Sequence, residues 1–190
     1  MTKILYLHGF ASSADSSKAK VIESFVKKNT SSTKILIPNL NNNIKIAYQQ
    51  IEEIIKTESP ASIIGSSLGG FFGTYFAEKF NFLCVNINPA IPPIDMSEYL
   101  GENQNYSTGE KFIIDQDQLN WLGAMNKQIK SLKKHKNFMT LVQSGDEVLD
   151  YKLAIEYFSA SQIDVTFGGN HSFEDFESYI LKIQNFLNMH

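Results

Sequence analysis

Two kinds of apolar segment alternate along the chain. Short, almost wholly apolar runs recur between longer segments whose apolar residues stand three or four positions apart, as Val21, Ile22, Phe25 and Val26 do. The short runs predict strands buried on both faces, and the longer segments predict helices with one apolar face. This alternation is typical of a parallel sheet with crossover helices. We therefore expect an α/β fold with about six mostly parallel strands and helices on both faces of the sheet.

The bounds of the predicted elements follow from the same pattern. Strands are expected at residues 3–7, 34–37, 62–64, 83–87, 138–143 and 164–167. Helices are expected at residues 17–28, 44–57, 67–80, 118–134, 151–158 and 173–187. Parallel strands joined by helices cross over with a right hand, which buries both faces of the sheet. Because a chain of 190 residues without internal repeats suits one hydrophobic core, we expect a single domain over residues 1–190.

The segment at about 89–116 interrupts the alternation. It has no sustained apolar periodicity, and it carries the turn-forming residues Pro89, Pro92, Pro93, Gly101 and Gly109. The segment is too long for an ordinary connection between two elements. Insertions that follow the carboxyl end of a strand in an α/β enzyme usually form a lid or a pocket wall, and we expect that here.

Composition and charge narrow the classes of partner. Hydrophobic residues make up 43% and charged residues 19% of the chain, which is typical of a soluble globular protein. The net charge is -3 and all 17 cationic residues are lysines, so the two-pronged binding of phosphate or guanine by arginine is not available. We expect no nucleic-acid partner. One lysine cluster predicts a solvated helix end, with attraction of an anionic substrate or partner as the alternative: Lys127, Lys130, Lys133, Lys134 and Lys136.

The single cysteine and the start of the chain bear on the compartment. Cys84 excludes an internal disulfide and a multi-cysteine metal site, and its apolar neighbours predict a buried side chain. The first apolar run reaches His8 too soon to form a signal-peptide core, and no apolar run approaches the length of a membrane span. We expect a cytoplasmic protein without a membrane span, and its oligomeric state stays open.

A short motif follows the third predicted strand. Residues 65–69 read Gly-Ser-Ser-Leu-Gly and lead directly into a predicted helix. This is the context of a nucleophile elbow, in which Gly65 and Gly69 allow a turn that lifts the hydroxyl of Ser67 above the helix N-terminus. Ser67 is therefore the candidate nucleophile. A glycine-rich turn with Ser67 as a helix cap is the alternative interpretation.

A serine hydroxyl needs a base to take its proton, and the base needs a carboxylate that fixes its tautomer. Asp146 lies just beyond the strand predicted at 138–143, and His171 lies just beyond the last predicted strand. Both therefore fall at the carboxyl edge of the sheet together with Ser67. The other histidines lie after the first strand, in the lysine cluster and at the chain end: His8, His135 and His190.

The acid has rivals. Glu147 is adjacent to Asp146, Asp150 is placed to cap the helix predicted at 151–158, and Asp95 follows an earlier strand. Asp146 is the preferred candidate because it directly follows a strand that ends at the same edge as Ser67. The choice among these carboxylates depends on the three-dimensional structure.

Backbone donors for an oxyanion are expected after the first strand and after the nucleophile. Gly9 lets the backbone approach a substrate, and the N–H groups of Phe10 and Leu68 would hydrogen-bond the developing negative charge. Aromatic side chains nearby either line an acyl pocket or belong to the core: Phe10, Phe71, Phe72, Tyr99 and Tyr106.

With these residues in place, the chain resembles the α/β-hydrolase superfamily and, more closely, the bacterial YqiA-like esterases. The resemblance lies in blocks that run in matching order from the first strand to the last helix: residues 6–10, 12–13, 18–19, 65–71, 88–90, 143–151 and 168–173. It implies a compact hydrolase that lacks the first two strands of the larger fold. It also implies that Ser67 is the nucleophile, Asp146 the acid and His171 the base. The implied activity is the hydrolysis of acyl esters, with acyl-CoA thioesters as a further class of substrate.

The leading hypothesis is a serine esterase that works through an acyl-enzyme and needs no metal or organic cofactor. An acyltransferase would use the same three residues and is an open alternative. A binding protein that keeps the fold without catalysis is the other alternative, because fold alone does not establish function. The acyl-chain length, any preference for thioesters and any lid motion stay undefined at this point.

Overall fold

Parallel strand pairing organises the chain. The structure, a computed structural model, describes residues 1–91 and 96–190. Its strands are β1 (Thr2–Leu7), β2 (Thr33–Leu36), β3 (Ser62–Ser66), β4 (Leu83–Ile87), β5 (Gly101–Gln104), β6 (Lys111–Ile114), β7 (Phe138–Gln143) and β8 (Gln162–Thr166). Its α-helices are α1 (Ser17–Asn29), α2 (Ile44–Glu58), α3 (Leu68–Phe80), α4 (Gln116–Gln128), α5 (Tyr151–Tyr157) and α6 (Ile180–Leu187). Six strands form a parallel sheet in the order β2-β1-β3-β4-β7-β8, which confirms the predicted fold class.

The sheet separates two hydrophobic clusters. Along β1, Ile4 and Tyr6 belong to one cluster and Leu5 and Leu7 to the other, and all four side chains are fully buried. Helices α1 and α6 cover the first face, whereas α2, α3, α4 and α5 supply the second cluster. Burial on both faces explains why the strands are almost wholly apolar.

The helices follow the apolar periodicity of the sequence. In α2 the buried side chains are Ile44, Ala47, Ile51 and Ile55, spaced three or four residues apart, and Asn43 caps the first turn. Helix α3 is buried along most of its length because it packs against the centre of the sheet. In the described part of the chain, none of the helices combines the length and apolar character needed to span a bilayer.

Two predicted helices were too long. The helix predicted at 118–134 is α4, which ends at Gln128. Most of the lysine cluster therefore lies beyond this helix, and the prediction that the cluster forms a helix end is wrong. The backbone N–H groups of Lys133 and Lys134 instead donate to the carboxylate of Glu78, at 3.1 and 2.9 Å, which docks this segment on α3. Only part of 173–187 is α-helical, because Phe173 and Asp175 have positive φ and a 3-10 turn precedes α6.

The interrupting segment contains an unpredicted hairpin. Strands β5 and β6 pair antiparallel apart from the main sheet. The turn of the hairpin is attached to the loop after β1, because Tyr106 N–H donates to Ala11 O at 2.9 Å and the Asn105 side chain donates to Ser12 O at 2.9 Å. Pro92, Pro93 and Asp95 lie outside the described residues.

A steric constraint joins α3 to the sheet. A Cβ atom built on Gly69 would lie 2.1 Å from Leu7 O and 2.5 Å from His8 O, which is a severe overlap with the backbone of β1 and its loop. By contrast, a Cβ on Gly123, in the exposed face of α4, would meet nothing within 4 Å. The first glycine is therefore required by packing, and the second is not.

The substitution Gly69→Ala should lower the free energy of unfolding by about 2–4 kcal/mol, because the backbone must shift to relieve the overlap. Gly123→Ala is the matched control and should raise that free energy by about 0.5–1 kcal/mol, since alanine favours a helix interior. Urea denaturation of both variants measures the difference. Equal stability of the two variants would contradict this account of the packing.

Candidate active site

Ser67 stands at a strained turn between β3 and α3. Its φ and ψ angles are 54° and -123°, a combination that side-chain-bearing residues rarely adopt. The turn is fixed on both sides: Ser67 N–H donates to Ile87 O at 3.1 Å, and Ser67 O accepts from the N–H groups of Gly70 and Ala90 at 2.9 and 3.0 Å. Gly65 is needed because a Cβ there would lie 2.3 Å from Gly69 O. The predicted elbow geometry is therefore present.

The structure brings Ser67, His171 and Asp146 into one hydrogen-bonded chain. His171 Nε2 lies 3.1 Å from Ser67 Oγ, and His171 Nδ1 lies 2.8 Å from Asp146 Oδ2. The Asp146 side chain is 1% exposed and that of His171 is 22% exposed. With Nδ1–H donating to the carboxylate, Nε2 is free to accept the serine proton.

The Asp146 carboxylate is itself oriented by the backbone. Its Oδ1 atom accepts from the N–H groups of Val148 and Leu149, at 2.9 and 2.8 Å. These bonds form a turn directly after the carboxyl end of β7. The carboxylate of Asp146 is therefore held in a fixed position beside the imidazole of His171.

The rival carboxylates have other roles in the structure. Glu147 Oε2 accepts the backbone N–H of His171 at 3.0 Å, and this bond holds the pKa of Glu147 below its usual range. Asp150 caps α5 by accepting Lys152 N–H at 3.0 Å. Asp95 lies outside the described residues. Among the described candidates, Asp146 is the carboxylate that contacts the imidazole ring.

Two buried amides, which the sequence reasoning did not assign, hold the loop that carries His171. The Asn88 side chain donates to Asn170 O and His171 O at 3.0 and 3.2 Å, and its Oδ1 accepts Gln143 N–H at 2.9 Å. The Gln143 side chain accepts the N–H groups of Asn170 and Glu174 at 3.1 and 2.8 Å and donates to Glu174 O. Neutral side chains at the ends of β4 and β7 thus position the loop of His171 relative to the sheet.

The other histidines are not brought to Ser67 Oγ. His8 is 4% exposed, donates from Nδ1 to Gly9 O and accepts Leu40 N–H at Nε2, while burial lowers its pKa and favours this neutral state. His135 lies just before β7, and His190 lies beside the start of β2. Within residues 1–91 and 96–190, no group of three or more histidine, cysteine, aspartate or glutamate side chains could hold a metal ion.

The loop after β1 passes close to the nucleophile. A Cβ built on Gly9 would lie 3.1 Å from Ser67 Cβ and 3.6 Å from Ser67 Oγ. In the described part of the chain, the backbone N–H groups of Phe10 and Leu68 have no acceptor, and both residues line the cleft above Ser67. Two backbone N–H groups that are not bonded within the described chain therefore lie beside the serine.

The cleft above Ser67 has a volume of about 400 Å³. Its apolar side includes Phe10, Met96 and Tyr99, and the rings of Phe10 and Tyr99 are 5.1 Å apart. The lining also includes Tyr106, Ser67 and His171.

Two aromatic residues proposed for this pocket are placed elsewhere. Phe71 and Phe72 are 0% and 2% exposed and belong to the core between α3 and the sheet. Neither lines the main cleft, because the first turns of α3 direct these side chains into the core; Phe72 borders a small adjoining cavity instead. Their expected role as pocket residues is corrected to core packing.

Family comparison identifies the chain. Residues 3–188 match the model of the uncharacterised protein family UPF0227. The chain belongs to this family. The resemblance to YqiA-like proteins that the sequence predicted is thereby confirmed.

Solved structures share the fold. Est1E from Butyrivibrio proteoclasticus matches with a TM-score of 0.72 and 11% identity, covering 98% of this chain and 87% of Est1E. A protein described as a putative hydrolase from Agrobacterium vitis matches with a TM-score of 0.72 and 14% identity, covering 98% and 88%. The esterase domain of a Rhodothermus marinus protein matches with a TM-score of 0.64 and 16% identity, covering 98% and 85%. The predicted α/β-hydrolase fold is confirmed.

The substitution Gln143→Met should loosen the loop that carries His171, since it removes the hydrogen bonds to Asn170 and Glu174 while keeping the side-chain volume. We expect the amides of those two residues to exchange with deuterium at least about tenfold faster. Gln184→Met on α6, which removes a hydrogen bond to Met189 O, is the matched control and should leave the loop of His171 unchanged. Unaltered exchange in Gln143→Met would show that the Gln143 side chain does not hold the loop that carries His171.

Proposed function

We propose that this protein is a serine hydrolase that cleaves acyl esters through an acyl-enzyme on Ser67. The observation that carries the proposal is the continuous hydrogen-bonded chain from the Asp146 carboxylate through the His171 ring to the Ser67 hydroxyl, at the floor of a cleft. A hydroxyl, a neutral base and an orienting carboxylate in this order are what acyl transfer to serine requires.

In the first half of the reaction, His171 Nε2 takes the Ser67 proton as Oγ forms a bond to the acyl carbonyl carbon. The carbonyl π electrons move to oxygen, and the N–H groups of Phe10 and Leu68 hydrogen-bond the resulting oxyanion. When the tetrahedral intermediate collapses, the bond to the leaving alcohol or thiol breaks, and that group takes the proton from His171. The acyl group is then joined to Ser67 Oγ.

In the second half, water replaces the leaving group. His171 takes a proton from the water as its oxygen attacks the acyl carbonyl, and the oxyanion is held by the same two amides. Collapse breaks the bond to Ser67 Oγ, which regains its proton from His171, and the carboxylic acid leaves. Each step uses residues of this chain and water, and a single domain supplies the whole site.

Ester substrates suit the cleft and the fold comparisons. The apolar side of the cleft offers Phe10, Met96 and Tyr99 to an acyl group, and the segment that carries Met96, Tyr99 and the hairpin serves as one wall of the pocket. Est1E, a protein of the same fold, has a structure with ferulic acid bound. Thioesters follow the same steps, because a thiol leaves as readily as an alcohol, so acyl-CoA thioesters are a second substrate class of this proposal.

Ser67→Ala should lower kcat/KM for activated esters by at least about 10³-fold while the fold is kept. A fluorophosphonate should label the unchanged protein once, on the Ser67 peptide, and should not label the variant. The exposed residue Ser24, on the outer side of α1, provides the control Ser24→Ala, which should retain labelling and activity. An unlabelled Ser67 in the folded wild-type protein would instead favour a binding protein without catalysis.

Asp146→Asn should lower kcat by on the order of 10³–10⁴-fold, because an amide no longer stabilises the imidazolium or fixes the required tautomer. Asp150→Asn is the matched control, since asparagine still caps α5 and the residue does not contact His171. The measurement is the hydrolysis of a 4-nitrophenyl ester by both variants, with circular dichroism to check folding. Similar losses in the two variants would overturn the assignment of the acid.

A further inference from the structure

One side of the cleft carries polar groups that the proposed reaction does not use. Tyr6 on β1, Ser16 before α1 and Lys18 in the first turn of α1 line the same cleft as Ser67 and His171. They lie among the polar lining residues, whereas Phe10 and Met96 make the lining apolar elsewhere. The cleft therefore offers two chemical environments to a substrate.

Two hydroxyls on the polar side have no hydrogen-bond partner. Tyr6 is fully buried, and by hydrogen-bond geometry neither its Oη atom nor Ser16 Oγ has a partner among the described residues. The two hydroxyls lie near each other, since Ser16 acts against burial in setting the pKa of Tyr6. Buried hydroxyls almost always have partners, so two such groups beside one cleft indicate a ligand that would complete them. Burial raises the pKa of Tyr6 to about 12, so the phenol keeps its proton and can donate it.

Lys18 brings a positive charge to the same place. Its Nζ atom donates to Ser172 O at 2.8 Å, which leaves two of its three N–H groups for another acceptor. In the described part of the chain no carboxylate forms a salt bridge with Lys18, whereas the exposed Lys20 on the same helix pairs with Asp15 at 3.6 Å. Burial lowers the pKa of Lys18 to about 8, with the Asp146 carboxylate acting in the opposite sense, as expected of a poorly hydrated ammonium.

The N-terminus of α1 adds to the positive electrostatic potential on this side of the cleft. Ser16 occupies the N-cap position but its side chain makes no capping hydrogen bond, and the first turn holds no acidic residue. Helix α1 has 13 residues, so its N-terminus carries a partial positive charge that favours an anion. The unpartnered hydroxyls, the lysine and the helix end all offer donors or positive charge, and none offers a negative charge.

We propose that Tyr6, Ser16 and Lys18 form a subsite that binds a carboxylate carried by the substrate. This inference rests on the proposed function and names its substrate class: esters in which the acid or the alcohol part has a free carboxylate. The two oxygens of a carboxylate can accept from the two hydroxyls and the ammonium together. The ester carbonyl then lies over Ser67, within the same cleft.

The test compares esters that differ only in the charge. In one pair, the mono-4-nitrophenyl ester of adipic acid carries a free carboxylate on the acyl side, and its methyl ester masks that carboxylate. The other pair is 4-(butanoyloxy)benzoate and its methyl ester, which does the same on the alcohol side. For at least one pair, the wild-type kcat/KM should be at least about tenfold higher for the charged ester.

Lys18→Met should bring that ratio to about one, because the ammonium that binds the carboxylate is lost. Lys20→Met, the control on the same helix, should keep the ratio. The contrary result is that Lys18→Met lowers kcat/KM equally for both esters of a pair. Lys18 would then only hold the loop at Ser172 in place, and this result would overturn the proposed subsite. A wild-type ratio near one for both pairs would overturn it as well.

Tyr6→Phe provides a second variant that does not depend on removing a lysine. Because the hydroxyl has no partner in the described protein, its loss should leave the thermal midpoint unchanged or slightly raised. It should lower the charged-to-neutral ratio by at least about threefold. An unchanged ratio would mean that the hydroxyl binds only water and would contradict the proposal.

Binding separates a failure of the subsite from a failure of the proposed function. In Ser67→Ala, calorimetry should detect adipate monomethyl ester, and the double variant with Lys18→Met should bind it at least about tenfold more weakly. This result would support the subsite even if the wild-type protein hydrolysed none of the esters. Equal binding by the two variants would overturn the subsite even if neutral esters were hydrolysed.

Discussion

The close approach of α3 to the end of β1 is the constraint on which the site depends. Gly69 lies so near Leu7 O and His8 O that no side chain fits there. This contact lets the helix start directly at the sheet edge, which raises Ser67 into the cleft in a strained conformation. It also brings the loop with Gly9 and Phe10 beside the serine, so one packing contact positions both the candidate nucleophile and a candidate oxyanion donor.

The candidate base, His171, is positioned by a different means. His171 stands on a loop, and its height is set by hydrogen bonds to the side chains of Asn88 and Gln143 at the ends of β4 and β7. Both amides are 2% exposed and neutral, so they fix the loop without adding charge next to the imidazole. Glu147 contributes a bond to the backbone of His171, whereas Asp146 contacts the ring. Glu147 thus orients the backbone of His171, whereas the neighbouring Asp146 orients its side chain.

The sequence predicted what depends on local pattern. Apolar periodicity located the six strands of the main sheet, and the order of Ser67, Asp146 and His171 after three of them placed all three residues at one edge. The hairpin was missed because β5 reads Gly-Glu-Asn-Gln and has no apolar alternation. Helix α4 was extended too far because docking of the following segment on Glu78 is a tertiary contact. Asn88, Gln143 and the group around Tyr6 likewise act through contacts between distant parts of the chain, which periodicity does not reveal.

The proposed function requires that Ser67 becomes acylated during turnover. Rapid mixing of the protein with a 4-nitrophenyl ester, followed by acid quenching and mass spectrometry of the intact chain and its peptides, tests this directly. We expect a burst of one 4-nitrophenol per protein molecule when deacylation is the slower step, together with the acyl mass on the peptide that contains Ser67. Ester turnover with the acyl group on another residue, or with Ser67 unmodified under conditions that trap the acyl-enzyme, would contradict it.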